Sequence, residues 1–284
     1  MHNDYRLGLY EKSMPENFSL CKKLETTKKF GFDYLDLSID ETDEKLARLN
    51  WSKIERRTLI KNIFEIGVPI GSICLSAHRK YSLGNPDVQK QKKAVQIMER
   101  AAELASDLGV RIIHLAGYDV YYEESTEQTR KDFEINLRKC VGIAAKHGVI
   151  LAFENMENTF MDKIEKCMTF ISKINSPYLQ MYPDLGNTTN AARLYGNTVE
   201  QDMLTANGRL VALHLKETDE GRFRDMEYGF GWVDFAQGIN IAWELGVRRF
   251  VTEFWDNGDH ENQIKHAHDF IRPKIDAAGR RHCQ

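Results

Sequence analysis

The chain has 284 residues, 42% hydrophobic and 29% charged, the make-up of a folded globular protein rather than a disordered, collagenous or membrane one. Its 39 Lys and Arg against 42 Asp and Glu give a formal charge of −3, without the basic excess used by binders of phosphate backbones, so nucleic acid is not an expected partner. Cys21, Cys74, Cys140, Cys167 and Cys283 form no CxxC pair and are odd in number. Together with an N-terminus that lacks a signal-like apolar run, and no stretch near the roughly 18 apolar residues of a membrane span, they point to a reducing cytoplasm and no membrane contact.

In chain order, β-rich runs predict strands at Arg6 to Tyr10, Tyr34 to Ser38, Ile70 to Ser76, Arg111 to Ala116, Val149 to Glu154, Leu179 to Asp184, Leu210 to Leu215 and Phe250 to Phe254. Between them, apolar residues at helical spacing predict helices over Trp51 to Ile66, Val88 to Leu108, Thr126 to His147 and Asp162 to Ile174. Gly31, Gly67, Gly109, Gly148 and Gly246 each stand where a helix hands over to a strand, the place of a left-handed C-terminal cap. Ser52 and Thr126 read as N-caps. Glu55 completes a capping box with Ser52, whereas Thr129 leaves the box of Thr126 incomplete.

Parallel strands need helical crossovers, and eight strand and helix units run on without a linker or a change of composition. The reading is an α/β fold, a (β/α)8 barrel occupying residues 1–284 as a single domain. The alternative, an open doubly wound sheet, usually carries GxGxxG after its first strand, and Gly8-Leu9-Tyr10-Glu11-Lys12 stands there instead.

Side chains at the carboxyl ends of barrel strands converge on one mouth. Four predicted strands in succession end in residues of metal-ligand type: Glu154, Asp184, His214 and Glu253. Alone, a glutamate at a strand end is commonly a loop hydrogen-bond acceptor, and a histidine a satisfied core residue. As a set, three converging carboxylates would repel and force one to take up a proton, a conflict a divalent cation removes. Three oxygens and one imidazole suit Mn, Mg, Co or Zn. The other histidines singled out lie in tails (His2, His282), at a helix end (His147) or on the last helix (His260, His266, His268).

At these residues the chain resembles the xylose-isomerase-like barrel superfamily and, more narrowly, the L-ribulose-5-phosphate 3-epimerase family of ascorbate catabolism, also called L-xylulose-5-phosphate 3-epimerase. The likeness runs nearly full length. It is carried by Gly8-Leu9-Tyr10-Glu11-Lys12, Ser38-Ile39-Asp40-Glu41-Thr42-Asp43, Cys74-Leu75-Ser76-Ala77-His78-Arg79, Leu115-Ala116-Gly117-Tyr118-Asp119-Val120-Tyr121-Tyr122, Tyr182-Pro183-Asp184-Leu185-Gly186-Asn187 and Gly231-Trp232-Val233-Asp234-Phe235. Phe230, between Gly229 and Gly231, replaces the family's acidic residue, and Glu157 stands where relatives tend to have Asp.

The resemblance implies that Glu154, Asp184, His214 and Glu253 bind the metal and that Glu154 and Glu253 are the acid/base pair. Epimerisation beside a ketone takes a proton from one face and returns one to the other, through a cis-enediolate that a metal on the C2 oxygen stabilises. A sugar-phosphate substrate also calls for cations, and the candidates are Lys12, His78, Arg79, Lys216 and Arg222. Tyr10, Tyr118, Tyr182, Phe254 and Trp255 could wall the sugar pocket or simply pack the core. By analogy with other barrels of this kind, a homodimer is expected.

Rival functions on the same metal frame are a non-phosphorylated ketose 3-epimerase, a 1,2-aldose-ketose or hexulose-6-phosphate isomerase and an inosose dehydratase. An abasic-site endonuclease resembles the fold but needs more metal ligands and a basic groove. A non-catalytic sugar-binding protein is disfavoured by the missing export signal.

Overall fold

Eight parallel strands, β1 (Arg6–Tyr10), β2 (Tyr34–Ser38), β3 (Ile70–Leu75), β4 (Ile112–Ala116), β5 (Ile150–Glu154), β6 (Leu179–Met181), β7 (Leu213–Leu215) and β8 (Arg249–Thr252), curl into a barrel in the computed structural model, which describes residues 4–281. His2, His282 and Cys283 lie outside the described residues. The ladder runs β6-β5-β4-β3-β2-β1-β8-β7, each pair parallel. The gap between β6 and β7 is bridged by Met181 with Leu210 and by Asp184 with His214. Among the described residues no helix is long and apolar enough to cross a membrane.

β6 and β7 are shorter than the sequence predicts because Pro183 has no N–H to give to a ladder. Its carbonyl still accepts from His214 N at 2.9 Å. Asp184 leaves the strand and becomes the N-cap of the Leu185–Tyr195 helix, its Oδ1 accepting from Asn187 N at 2.6 Å. A strand end is thereby turned into a rigid platform for a carboxylate.

The five helix-exit glycines all adopt φ between 64° and 89°, where a Cβ would be strained. Ser52 and Glu55 close their capping box. The box at Thr126, expected to be incomplete, is closed too, because the Thr129 hydroxyl accepts from Thr126 N at 2.8 Å while Thr126 Oγ1 accepts from Thr129 N at 3.2 Å. The helix expected from Asp162 begins at Ile164, and the remote Asp202 carboxylate caps it by accepting from Ile164 N and Glu165 N at 3.0 and 3.1 Å.

Most apolar burial lies between sheet and helices. A second, smaller apolar cluster includes Tyr10, Tyr34, Cys74, Ala152, Tyr182 and Val251, contributed by strands all round the sheet. Gly8 and Gly71, on the strands flanking β2, leave room for the Tyr34 ring, which any Cβ at either position would strike.

At the end of β1 the fully buried Glu11 gathers three cations. Its oxygens lie 2.9 Å from Lys23 Nζ, 2.6 Å from Lys45 Nζ and 2.6 Å from Arg48 Nη1, and accept from Ser38 N at 2.8 Å. The cluster ties the first two βα loops together.

Candidate active site

Glu154 is the last residue of β5, Asp184 caps the helix after β6, His214 is the central residue of β7 and Glu253 follows β8. All four are buried, and one ligand atom from each lies within 4.8 Å of every other. His214 Nδ1 stands 3.3 Å from Glu154 Oε1 and 3.0 Å from Glu253 Oε2. Both glutamates therefore face one imidazole nitrogen.

The electrostatics of the group call for positive charge. Burial pushes Asp184 up to about 7; Lys216, 3.3 Å from its Oδ1, opposes the shift, and Glu253 and Glu154 add to it. Burial also works to raise Glu154, but His114 and His214 outweigh it and hold that carboxyl well below its ordinary range. Glu253 is lowered as well, with Lys216 and His214 overcoming burial and the repulsion of Glu154. The carboxylates thus draw protons onto neighbouring imidazoles, His214 being raised despite burial chiefly by Glu253. Asp184 Oδ2 is buried without a hydrogen-bond partner, an arrangement that is costly unless a cation satisfies it. Three carboxylates and one imidazole with unused lone pairs fit a hard or borderline divalent ion.

Two buried polar residues absent from the sequence reading adjoin this group. His114, the middle residue of β4, places Nε2 2.7 Å from Glu154 Oε2, and that carboxylate lifts it to about 10 against burial. Asp36, the middle residue of β2, has Oδ2 3.6 Å from His214 Nε2 and accepts from Ser72 Oγ at 2.7 Å through Oδ1. Their signal in the sequence is a polar side chain at an inward position in the middle of a mostly apolar strand.

The cationic candidates divide. Lys12, Arg79 and Lys216 line the opening above Glu154 and Glu253, joined by Arg224, which the sequence reading passed over. Lys12 is engaged with Asp40 at 2.5 Å and Lys216 with Asp184. Arg79 has no carboxylate at ion-pair distance among the described residues, and its Nε is buried without a partner. His78 turns away, buried with Nε2 3.1 Å from the Ala94 carbonyl, and burial lowers it to about 4. Arg222 is outside the opening as well and donates to Asp225 O at 2.8 Å.

Of the aromatic candidates, Tyr10 and Trp255 line the opening, edge to face with ring centroids 6.1 Å apart. Tyr182 packs below it against His214 at 4.7 Å. Tyr118 donates to Glu157 Oε2 at 2.8 Å, and Glu157 lines the opening. Phe254 belongs to the main core. Phe230 is exposed and outside the opening, whereas Phe223 and Arg224, earlier in the same loop, reach it. A neighbouring cleft of about 550 Å³, lined in part by Asn187, Arg193 and Trp232, shares Met156, Glu157 and Phe223 with the opening.

The chain matches the family described as xylose isomerase-like TIM barrel over residues 24–274. It is 36% identical, over 276 residues and 96% of each chain, to L-ribulose-5-phosphate 3-epimerase UlaE of Escherichia coli (strain SMS-3-5 / SECEC), and equally to that of strain K12. Among solved structures, an L-ribulose 3-epimerase superposes with a TM-score of 0.77 at 19% identity, covering 98% of this chain and 96% of its own. A xylose isomerase-like TIM barrel protein from Mycobacterium smegmatis in complex with magnesium gives 0.72 at 16%, covering 98% and 100%. At those identities the two structures speak for the fold. With a family match across most of its length and a relative alike from end to end, this chain belongs to the xylose isomerase-like TIM barrel family and, within it, to the L-ribulose-5-phosphate 3-epimerase family of sugar epimerases.

Proposed function

We propose that the protein is a metal-dependent epimerase that interconverts L-xylulose 5-phosphate and L-ribulose 5-phosphate, with Glu154, Asp184, His214 and Glu253 holding one divalent ion and Glu154 and Glu253 exchanging protons with C3. The observation that carries this reading is the approach of two glutamates from β5 and β8 to one side of a single imidazole, His214 Nδ1, at 3.3 and 3.0 Å. The 36% identity to UlaE supports the family within which this sugar is proposed.

Inversion at C3 needs a base on one face and an acid on the other, with the roles exchanged in the reverse reaction. Glu154 and Glu253 are suited to that demand because they reach the site from the ends of two different strands; the second oxygen of Glu154 is held by His114 Nε2 at 2.7 Å. A divalent ion, when bound, supplies Lewis-acid stabilisation of negative charge on adjacent substrate oxygens. Asp184, fixed by Asn187 N and Lys216, holds its place without moving protons. Tyr10 and Trp255 line the opening, and in this reading they wall the reacting carbon off from water. The phosphate falls to Arg79, assisted by Lys12 and Arg224 at the rim, because a sequestered guanidinium without a carboxylate is matched by an anionic ligand.

Removing Arg79 as Arg79→Ala raises KM for the phosphorylated ketose about 10- to 100-fold, the ratio expected for a charged hydrogen bond of ~1.5–3 kcal/mol. KM for the free sugar changes little. Steady-state kinetics on both sugars check this, and an unchanged KM for the phosphorylated one removes Arg79 from the phosphate subsite.

The function itself is tested by incubating Mn²⁺-loaded protein with L-xylulose 5-phosphate, free L-xylulose and an inosose and identifying products by NMR. Appearance of L-ribulose 5-phosphate with solvent deuterium at C3 is the expected result. Turnover of the free sugar or the inosose alone would overturn the assignment.

A further inference from the structure

We propose that Asp36 is a positioning residue that, when an ion is bound, keeps the proton of His214 on Nε2 and so leaves Nδ1 to the ion shared with Glu154 and Glu253. The proposal rests on the reading of those residues as metal ligands and extends it to the strand opposite. His214 Nδ1 faces the two glutamates at 3.3 and 3.0 Å, so the ring offers this nitrogen to an ion. Its other nitrogen points the opposite way, to Asp36 Oδ2 at 3.6 Å. Both of those atoms are buried, and neither makes a hydrogen bond. A protonated ring nitrogen and a carboxylate oxygen satisfy one another, and a small movement that closes the 3.6 Å separation pairs them.

Asp36 cannot turn away, because Ser72 Oγ donates to its other oxygen at 2.7 Å. Ser72 is in β3, Asp36 in β2 and His214 in β7, so the chain from hydroxyl to carboxylate to imidazole crosses the barrel interior. Tyr182, edge-on to the His214 ring at 4.7 Å, and His114 at 4.6 Å keep the imidazole from rotating. A carboxylate on the far nitrogen of a metal-binding histidine sets the tautomer and raises the basicity of the ligating nitrogen. An aspartate sealed inside the barrel has no other visible purpose, since it lines no opening to solvent and pairs with no lysine or arginine among the described residues.

Two readouts test this apart from activity. In the Zn²⁺-loaded protein, nitrogen NMR of the His214 ring is expected to show Nε2 carrying the proton and Nδ1 bound to metal; the reverse assignment overturns the proposal. Mn²⁺ affinity, measured by competition with a chelator, is expected to weaken about 10- to 100-fold in Asp36→Ala and less, in the same direction, in Ser72→Ala. Wild-type affinity in a folded Asp36→Ala, or in Ser72→Ala should the first variant not fold, counts against it. His214→Ala separates the two levels of the argument. If it loses Mn²⁺ while Asp36→Ala keeps it, only the role of Asp36 falls; if it binds Mn²⁺ like wild type, the ligand set itself is wrong.

Discussion

Glu253→Gln or Glu154→Gln lowers turnover of the phosphorylated ketose by at least the roughly 10² to 10⁴-fold that a general acid or base contributes. Glutamine keeps the size of the side chain and one oxygen, but it carries no proton at C3. In the proposed mechanism each glutamate serves as base in one direction and acid in the other, so either substitution should slow both directions alike. Mn²⁺ content measured on the same samples separates loss of a proton carrier from loss of a ligand. A variant that retains metal and near-normal turnover would remove its glutamate from the proton path. His114 bears on the outcome at Glu154: its Nε2 lies 2.7 Å from Oε2, whereas Glu253 Oε2 faces His214 Nδ1 at 3.0 Å and Lys216 Nζ at 3.9 Å.

The largest expected loss of stability lies away from the reaction, at Glu11. Glu11→Gln leaves Lys23, Lys45 and Arg48 gathered around a neutral amide in a site without solvent. Breaking a buried ion pair by removing one partner costs about 3–5 kcal/mol, because the charges left behind stay buried and uncompensated. Burial alone would raise the carboxyl of Glu11, but Arg48, Lys23 and Lys45 hold it far below its ordinary value of 4.5. A carboxyl lowered by folding stabilises the native state above the unfolded value, and that contribution is lost as pH falls through the folded one. The stability gap between wild type and Glu11→Gln should therefore be constant from neutral pH down to about 5 and narrow below about 4.5. Urea unfolding across that range checks it. A gap under about 1 kcal/mol at neutral pH would mean that the three cations find other partners or water.

Much of this arrangement is legible in the sequence because barrel strands are short, apolar and punctuated. Gly31, Gly67, Gly109, Gly148 and Gly246 mark helix exits, and all adopt the left-handed backbone that their position suggests. Glu154 and Glu253 stand out as charges ending apolar runs, and they converge with Asp184 and His214 as strand-end placement requires. What the sequence conceals depends on side-chain direction and distant partners. Asp36 and His114 each interrupt an apolar strand at an inward position, but a lone polar residue there looks the same whether it meets a ligand, a hydroxyl or a water. His78 sits beside Arg79 in the sequence, yet the short helical turn over Ser76–Arg79 sends one inward to the Ala94 carbonyl and the other to the mouth. Arg224 reaches the opening from a loop whose path no local periodicity predicts. Thr129 closes a capping box through a hydroxyl where the usual pattern has Glu or Gln.

The proposed epimerase chemistry requires that Glu154, Asp184, His214 and Glu253 share one divalent ion. Anomalous diffraction at the manganese edge, from crystals of the protein soaked in Mn²⁺, tests it most directly. The predicted result is a single strong peak within about 2.0–2.3 Å of one atom from each of the four side chains, with Nδ1 as the atom of His214. A peak elsewhere in the molecule with these four side chains bare, or no peak at saturating Mn²⁺, would contradict it.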